Sequence, residues 1–186
     1  MRIYYDCEFI EAGPDHPIEL VSIGLVADDG REFYAVSSEF DTRRLLANPW
    51  LVANVWPSLP QRQDPPGHRC RCIHGHLDLD HPDVQPRAQI ASAVHTFIAA
   101  TPDPVLCAWY GAYDHVVLCQ LWGSMVDLPP GVPMWTYDLR QETERLGNPQ
   151  LPEQPEGLHN ALADARHNKV RAAHLDRLAR AKDSGR

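Results

Sequence analysis

No apolar run in this 186-residue sequence approaches the ~18 residues of a membrane span, which excludes a helical membrane protein. The N-terminus, Met1-Arg2-Ile3-Tyr4-Tyr5-Asp6, lacks a basic region followed by an apolar stretch, so no secretory leader is expected and a cytoplasmic location is. Positive charge is scarce as well. Against 25 Asp and Glu stand 17 Lys and Arg, a formal net charge of -8, and only Lys169 and Lys182 are lysines. That balance argues against nucleic-acid affinity from an overall positive field, because neutralising phosphates needs Lys and Arg. The five cysteines, Cys7, Cys70, Cys72, Cys107 and Cys119, are odd in number, and without a leader no oxidising compartment is implied. Reduced thiols are expected.

What is present is ordinary for a globular chain, with 44% hydrophobic and 23% charged residues. The length suits one domain able to bury roughly 70% of its unfolded surface. A single domain over about 1–180 is predicted, with a Pro-, Cys- and His-containing insertion at about 57–87 and a disordered tail at 181–186.

The order of elements sets the fold class. Arg2 to Phe9, Ile18 to Ala27 and Arg31 to Ser38 read as three strands, the last two joined by the hairpin chemistry of Asp28-Asp29-Gly30. Ala88 to Ala100 places Ile90, Val94, Phe97 and Ile98 at helical spacing; Pro104 to Tyr110 reads as a buried strand and Tyr113 to Trp122 as a helix. Asp138 caps a helix reaching Leu146, and a long one runs from about Asn160 to Ala179. Antiparallel strands followed by alternating helices and strands indicate an α/β fold with a mixed sheet. Two stretches interrupt it. Pro49 to Pro86 holds seven of the 17 prolines and Pro129 to Pro155 six, so neither is expected to be mostly helix or central strand.

Three acidic motifs stand out, each uninformative alone. Asp6 and Glu8 are two apart on the first strand and project from one face. Among apolar neighbours they raise each other's pKa unless a hard divalent cation such as Mg²⁺ or Mn²⁺ neutralises them, although for so short a pattern alone an edge strand with one face in water is the more ordinary account. Asp114 falls in the first turn of a helix after Trp109-Tyr110-Gly111, where the helix dipole alone would favour an acid. His159 and Asp164 are five apart, about 140° on a regular helix, so they serve one site only if His159 sits just before the helix, with Asn160 as its cap.

Taken together, Asp-x-Glu on the first strand, Asp at a strand-to-helix junction and His-x-Ala-x-x-Asp on the last helix resemble the DEDDh exonucleases of the ribonuclease H-like superfamily, which include ribonuclease T, oligoribonuclease and the proofreading subunits of bacterial polymerases. The match runs from Tyr5 to about Ala173. Tyr5-Asp6-Cys7-Glu8-Phe9-Ile10-Glu11, Ile18-Glu19-Leu20-Val21-Ser22-Ile23-Gly24 and Gly111-Ala112-Tyr113-Asp114-His115 are similar to the small actinobacterial group called 3′-to-5′ exoribonuclease AS. The resemblance implies a ribonuclease H-like mixed sheet in which Asp6, Glu8, Asp114 and Asp164 hold two Mg²⁺ ions, with Mn²⁺ as a substitute, and His159 is the general base. It implies an RNA 3′ end, single-stranded or as an overhang, as substrate, a nucleoside 5′-monophosphate as product, a homodimer, and Phe9, Ile10 and Glu11 as contacts to the terminal nucleotide. The chemistry is self-consistent: two metals roughly 4 Å apart can hold an attacking water and a leaving 3′ oxygen while offsetting charge that builds on phosphorus. It also changes the meaning of the net charge, since four acids matched by two divalent cations leave about -4.

Other features fit less well. Cys70, Cys72, His74 and His76 have the ligand types of a structural Zn²⁺ site, but alternate residues would lie on one strand face rather than surround an ion, and a loop with free thiols is favoured. Arg62, Arg69, Arg71 and Arg87 could form a basic lip over a substrate; solvated loop charges are the more ordinary account. Asp138 needs no role beyond capping, and His167 is expected on the outer face of the last helix. Val52 to Trp56 or Leu128 to Trp135 could supply a dimer surface. A DNA-directed exonuclease and a non-catalytic nucleotide- or RNA-binding module are the competing functions, and the full set of four acids with His159 speaks against the second.

Overall fold

The computed structural model describes residues 1–11, 13–62 and 75–184. Its frame is a six-stranded mixed sheet. Strands β1 (Arg2–Ile10), β2 (Glu19–Ala27) and β3 (Glu32–Ser37) run antiparallel in sequence, as their apolar and β-branched runs predict. Three short strands extend it, β6 (Val84–Gln85) parallel to β3, β7 (Val105–Ala108) parallel to β1, and β8 (Tyr137–Asp138) parallel to β7. The order β6-β3-β2-β1-β7-β8 places β1 in the interior. A two-residue pair, β4 (Gln61–Arg62) with β5 (His76–Leu77), stands apart from the sheet. This is the expected α/β architecture of antiparallel strands followed by parallel ones, consistent with a ribonuclease H-like fold.

Side-chain alternation along β1 assigns the layers. Ile3, Tyr5 and Cys7 face helix α3 (Arg87–Ala99) and helix α4 (Ala112–Cys119), meeting Ile90, Val94, Ile98, Val117 and Leu118 in the largest core cluster. On the opposite face Tyr4 packs with Leu139 of helix α5 (Leu139–Arg145) and with Ala172 and Leu175 of helix α6 (Ala161–Ser184). Ile10 and Val21 continue into a third cluster with Leu45 of helix α1 (Thr42–Ala47) and Leu51 of helix α2 (Pro49–Asn54).

The Pro-rich stretch from Pro49 is not mostly helix among its described residues, but it opens with the short helix α2, directly after α1. Pro49 occupies the first turn of α2, where a helix needs no N–H, and Asn48 caps it by accepting from the N–H groups of Trp50 and Leu51. The same region corrects the proposed dimer surface: Val55 and Trp56 are buried in the α1–α2 cluster. Helix α6 also runs past the expected end at Ala179 to Ser184. His167 is not on its outer face but 6% exposed, with Nε2 at 3.1 Å from the Pro152 carbonyl.

One close approach fixes α6 on the sheet. Gly24, opposite Asp6 on β2, lies so near the start of α6 that a Cβ there would sit 2.5 Å from Leu162 Cα and against the Ala161 carbonyl. Only glycine lets the helix backbone come down onto the strand here.

Candidate active site

The β1–β7 ladder ends at Tyr4 and Cys107, and beyond it the parallel strands part at their C-terminal ends, the usual position of a binding crevice in an open α/β sheet. Side chains take over the freed backbone groups. The Cys7 N–H donates to Asp114 Oδ1 at 2.9 Å, and the Tyr5 carbonyl accepts from Asn168 Nδ2 at 3.1 Å. Asp114 is thus drawn from the first turn of α4 against β1, beside Asp6 and Glu8; it is 6% exposed and Glu8 8%.

The third motif arrives from the other face. His159 precedes α6, as required, in the left-handed region with φ +62°. Both sides of its peptide are tied: its N–H donates to Asp164 Oδ2 at 2.9 Å and its carbonyl accepts from Ser58 Oγ at 2.9 Å. Asn160 caps the helix, Oδ1 accepting from the Ala163 N–H at 3.0 Å. Gln154 Nε2 donates to Asp164 Oδ1 at 2.7 Å, leaving that carboxylate held on both oxygens. Trp50 braces the imidazole edge-on, with ring centroids 4.8 Å apart. A left-handed non-glycine residue so over-determined is typical of a functional position, since its strain, of order 1 kcal/mol, persists only under such constraint.

Asp6, Glu8, Asp114, His159 and Asp164 therefore line one cavity of about 300 Å³. Glu8, His159 and Asp164 each offer a ligand atom within 4.8 Å of the others, so these three could hold a metal ion. A cavity of about 360 Å³ elsewhere, lined by Glu19, Phe40 and Arg87, is larger but has no such group among the described residues, and its Glu19 is already paired with Arg44 at 2.5 Å. Arg87 belongs there and not at the acidic cavity. Of the two other residues expected at the terminal nucleotide besides Phe9, which lines the acidic cavity, Ile10 is buried in the α1–α2 cluster and Glu11 lies exposed just past β1. Asp138 caps α5 by accepting from the Arg140 N–H at 2.8 Å. Of the Cys70, Cys72, His74 and His76 set, the first three lie outside the described residues, as do Arg69 and Arg71.

Burial is the main force on the acids. It pushes Glu8 up to about 8, with the charges of Asp164 and Asp114 adding to it. It lifts Asp114 to about 7 against the pull of the Cys7 N–H. Asp6 is raised well above the carboxylate range by burial and then by Asp114, Glu8 and Asp164, while Asp164 rises less because Gln154 and the His159 N–H oppose its burial. Four acids so placed fit hard divalent cations, which take carboxylate oxygens and cancel the repulsion.

In the metal-free protein Glu8 and Asp114 keep protons up to about 8 and 7, whereas in the unfolded chain carboxyls lose theirs near pH 4. Unfolding then releases protons, so stability falls as pH rises from about 4 to 8. The Tm of chelator-treated protein is expected to be at least about 4 °C lower at pH 8.5 than at pH 6, with Mg²⁺ restoring it most at the higher pH. A Tm independent of pH and Mg²⁺ across this range would contradict the coupling.

Several cavity residues were not legible beforehand. Trp109, Tyr110, Tyr113, Leu158 and Arg171 line it alongside the acids. Phe9 and Tyr113 stack at 6.1 Å with their planes 16° apart, and Tyr110 is 61% exposed with φ +56°. Arg171 was the one recoverable from spacing: two helical turns beyond Asp164, it lies on the same face of α6.

Carboxylates gathered at the end of β1 and in the first turns of α4 and α6, faced by one histidine, are the kind of centre found in acidic-site α/β nucleases. Residues 1–175 match the family model described as the 3′-5′ exoribonuclease Rv2179c-like domain, and the chain belongs to that family. It is 48% identical over 168 residues to the 3′-5′ exoribonuclease Rv2179c of Mycobacterium tuberculosis (strain ATCC 25618 / H37Rv), covering 89% of this chain and 88% of the relative. The 3′-5′ exoribonuclease MT2234.1 of Mycobacterium tuberculosis (strain CDC 1551 / Oshkosh) is similar with the same identity and coverage.

Proposed function

We propose that this protein is a cytoplasmic, Mg²⁺-dependent 3′-to-5′ exoribonuclease that releases nucleoside 5′-monophosphates from RNA 3′ ends. The observation that carries this reading is the convergence of Asp6, Glu8, Asp114, Asp164 and His159 on one cavity. Family membership and the name of the 48%-identical relative support RNA as the substrate.

Asp6, Glu8, Asp114 and Asp164 are the residues that would hold two Mg²⁺ ions, with Mn²⁺ as a substitute. When bound, such cations supply Lewis acidity and positive charge for in-line phosphodiester displacement. The chain's own residues supply the rest. His159, fixed at backbone and ring by Asp164, Ser58 and Trp50, accepts the proton of the attacking water, a task matched to imidazole at neutral pH. The stacked pair Phe9 and Tyr113 walls the cavity where an unpaired terminal base can lie. No helix is long and apolar enough to cross a membrane among the described residues. For the homodimer implied by resemblance, the Leu128 to Trp135 stretch, in which Met134 and Trp135 are 57% and 58% exposed, remains the candidate surface, and light scattering after gel filtration checks it.

Matched RNA and DNA strands of one sequence test the substrate. Mononucleotides are expected from the RNA at least about tenfold faster, and chelation should abolish release. Faster release from DNA would assign the protein to DNA, and release unaffected by chelation would remove the metal role.

A further inference from the structure

The cavity holds one permanent cation that neither the acids nor the histidine accounts for. Arg171 reaches into it from α6 with its guanidinium carbon 4.7 Å from the centroid of the Trp109 ring. Nη1 donates to Asn168 Oδ1 at 2.9 Å, and Asn168 in turn donates to the Tyr5 carbonyl, so the side chain is seated on β1. Among the described residues this is its only hydrogen bond, although a guanidinium carries five N–H donors. Asp6 and Asp164 attract it, yet neither forms an ion pair with it. Burial without an ion-pair partner is costly for a guanidinium, and it pulls Arg171 below its usual range. A half-buried arginine, propped on a ring and turned toward a cavity with most of its donors unused, is arranged for an anion from outside.

Its place relative to His159 says which anion. His159 stands on the α2 side of the acids, against Trp50; Arg171 stands on the β7 side, against Trp109. The strand carrying Asp6 and Glu8 runs between β2 and β7, so the two residues flank the acids. In an in-line displacement the attacking water and the leaving 3′ oxygen lie on opposite sides of phosphorus. If His159 serves the water, Arg171 is on the side of the leaving group, where the remaining RNA departs.

Resting on the exoribonuclease reading above, we propose that Arg171 binds the phosphate one nucleotide to the 5′ side of the bond that is cut. It acts as a substrate-binding residue for RNA chains. The neighbouring Tyr110, exposed and edge-on to Trp109 at 5.4 Å, closes the same side of the cavity.

The test pairs one deletion in the enzyme with one in the substrate. A dinucleotide carrying a 5′-phosphate has the upstream phosphate, and the same dinucleotide without it does not. For the wild-type protein the 5′-phosphorylated form is expected to have a KM lower by roughly tenfold, the scale of one charge-assisted contact. Arg171→Met should bring the ratio of the two KM values near one, and Arg171→Lys should recover part of it. Because the ratio is taken within each variant, a change in the amount of folded protein does not move it. An unchanged ratio in Arg171→Met overturns the proposal. So does an equal loss on both substrates with a shifted Mg²⁺ midpoint, which would make Arg171 a counter-charge for the acids. A wild-type protein that cuts neither dinucleotide nor RNA would instead bring down the exoribonuclease reading itself.

Discussion

Asp6→Asn is expected to reduce Mg²⁺-dependent release of mononucleotides from RNA by at least roughly 10³-fold while raising the Tm of the metal-free protein. The two effects have one cause. Asp6 is raised by burial and by three neighbouring carboxyls, so its ionised form is unfavourable when no cation is bound. An amide of the same shape removes that repulsion and with it a ligand oxygen. His159→Ala gives a companion result, a loss of about 10²- to 10⁴-fold, the usual contribution of a general base. Loss of activity accompanied by a collapsed Tm would point to misfolding and not to chemistry. Undiminished activity in either variant would refute the assignment of the site.

The contrast between what could and could not be read beforehand follows from how each residue reaches the cavity. Asp6 and Glu8 lie in one strand, and period-two alternation alone puts them on one face. Asp114 and Asp164 each lie in the first turn of a helix, and His159 precedes the cap of one, so local chain geometry carries them. Trp50 and Ser58 could not be found this way. They belong to a segment whose prolines read as breaks, although Pro49 starts a helix there, and they meet His159 across a long separation in sequence. Alternation also predicts the fate of Ile10: with the parity of Asp6 and Glu8 it turns to the α6 face, but further along, under α1 and α2. Phe9, of opposite parity, reaches the cavity through its stack with Tyr113. The β2 bulge opposite Glu8 and Phe9, which leaves Val21 without a Cα partner, loosens the register at that point.

Gly24→Ala should be among the most damaging single-methyl changes in the protein, although Gly24 lies in an ordinary strand and touches no substrate. Its added Cβ would overlap backbone atoms at Ala161 and Leu162, and backbone cannot rotate aside as a side-chain tip can. Helix α6 would have to lift at its first turn, and that turn carries Asp164 and anchors His159. A loss of about 2–4 kcal/mol in urea unfolding is expected from the overlap. Displacement of about 1 Å at the site should cost about 10²-fold in kcat besides. Gly30→Ala separates this from the general intolerance of glycine positions. Gly30 has φ +91° in open space, so its alanine meets strain but no neighbour, and about 1 kcal/mol with little change in kcat is expected. If Gly24→Ala instead melts and turns over like the wild type, α6 is not seated on β2 through this glycine, and the placement of His159 and Asp164 must depend on Ser58, Gln154 and Trp50 alone.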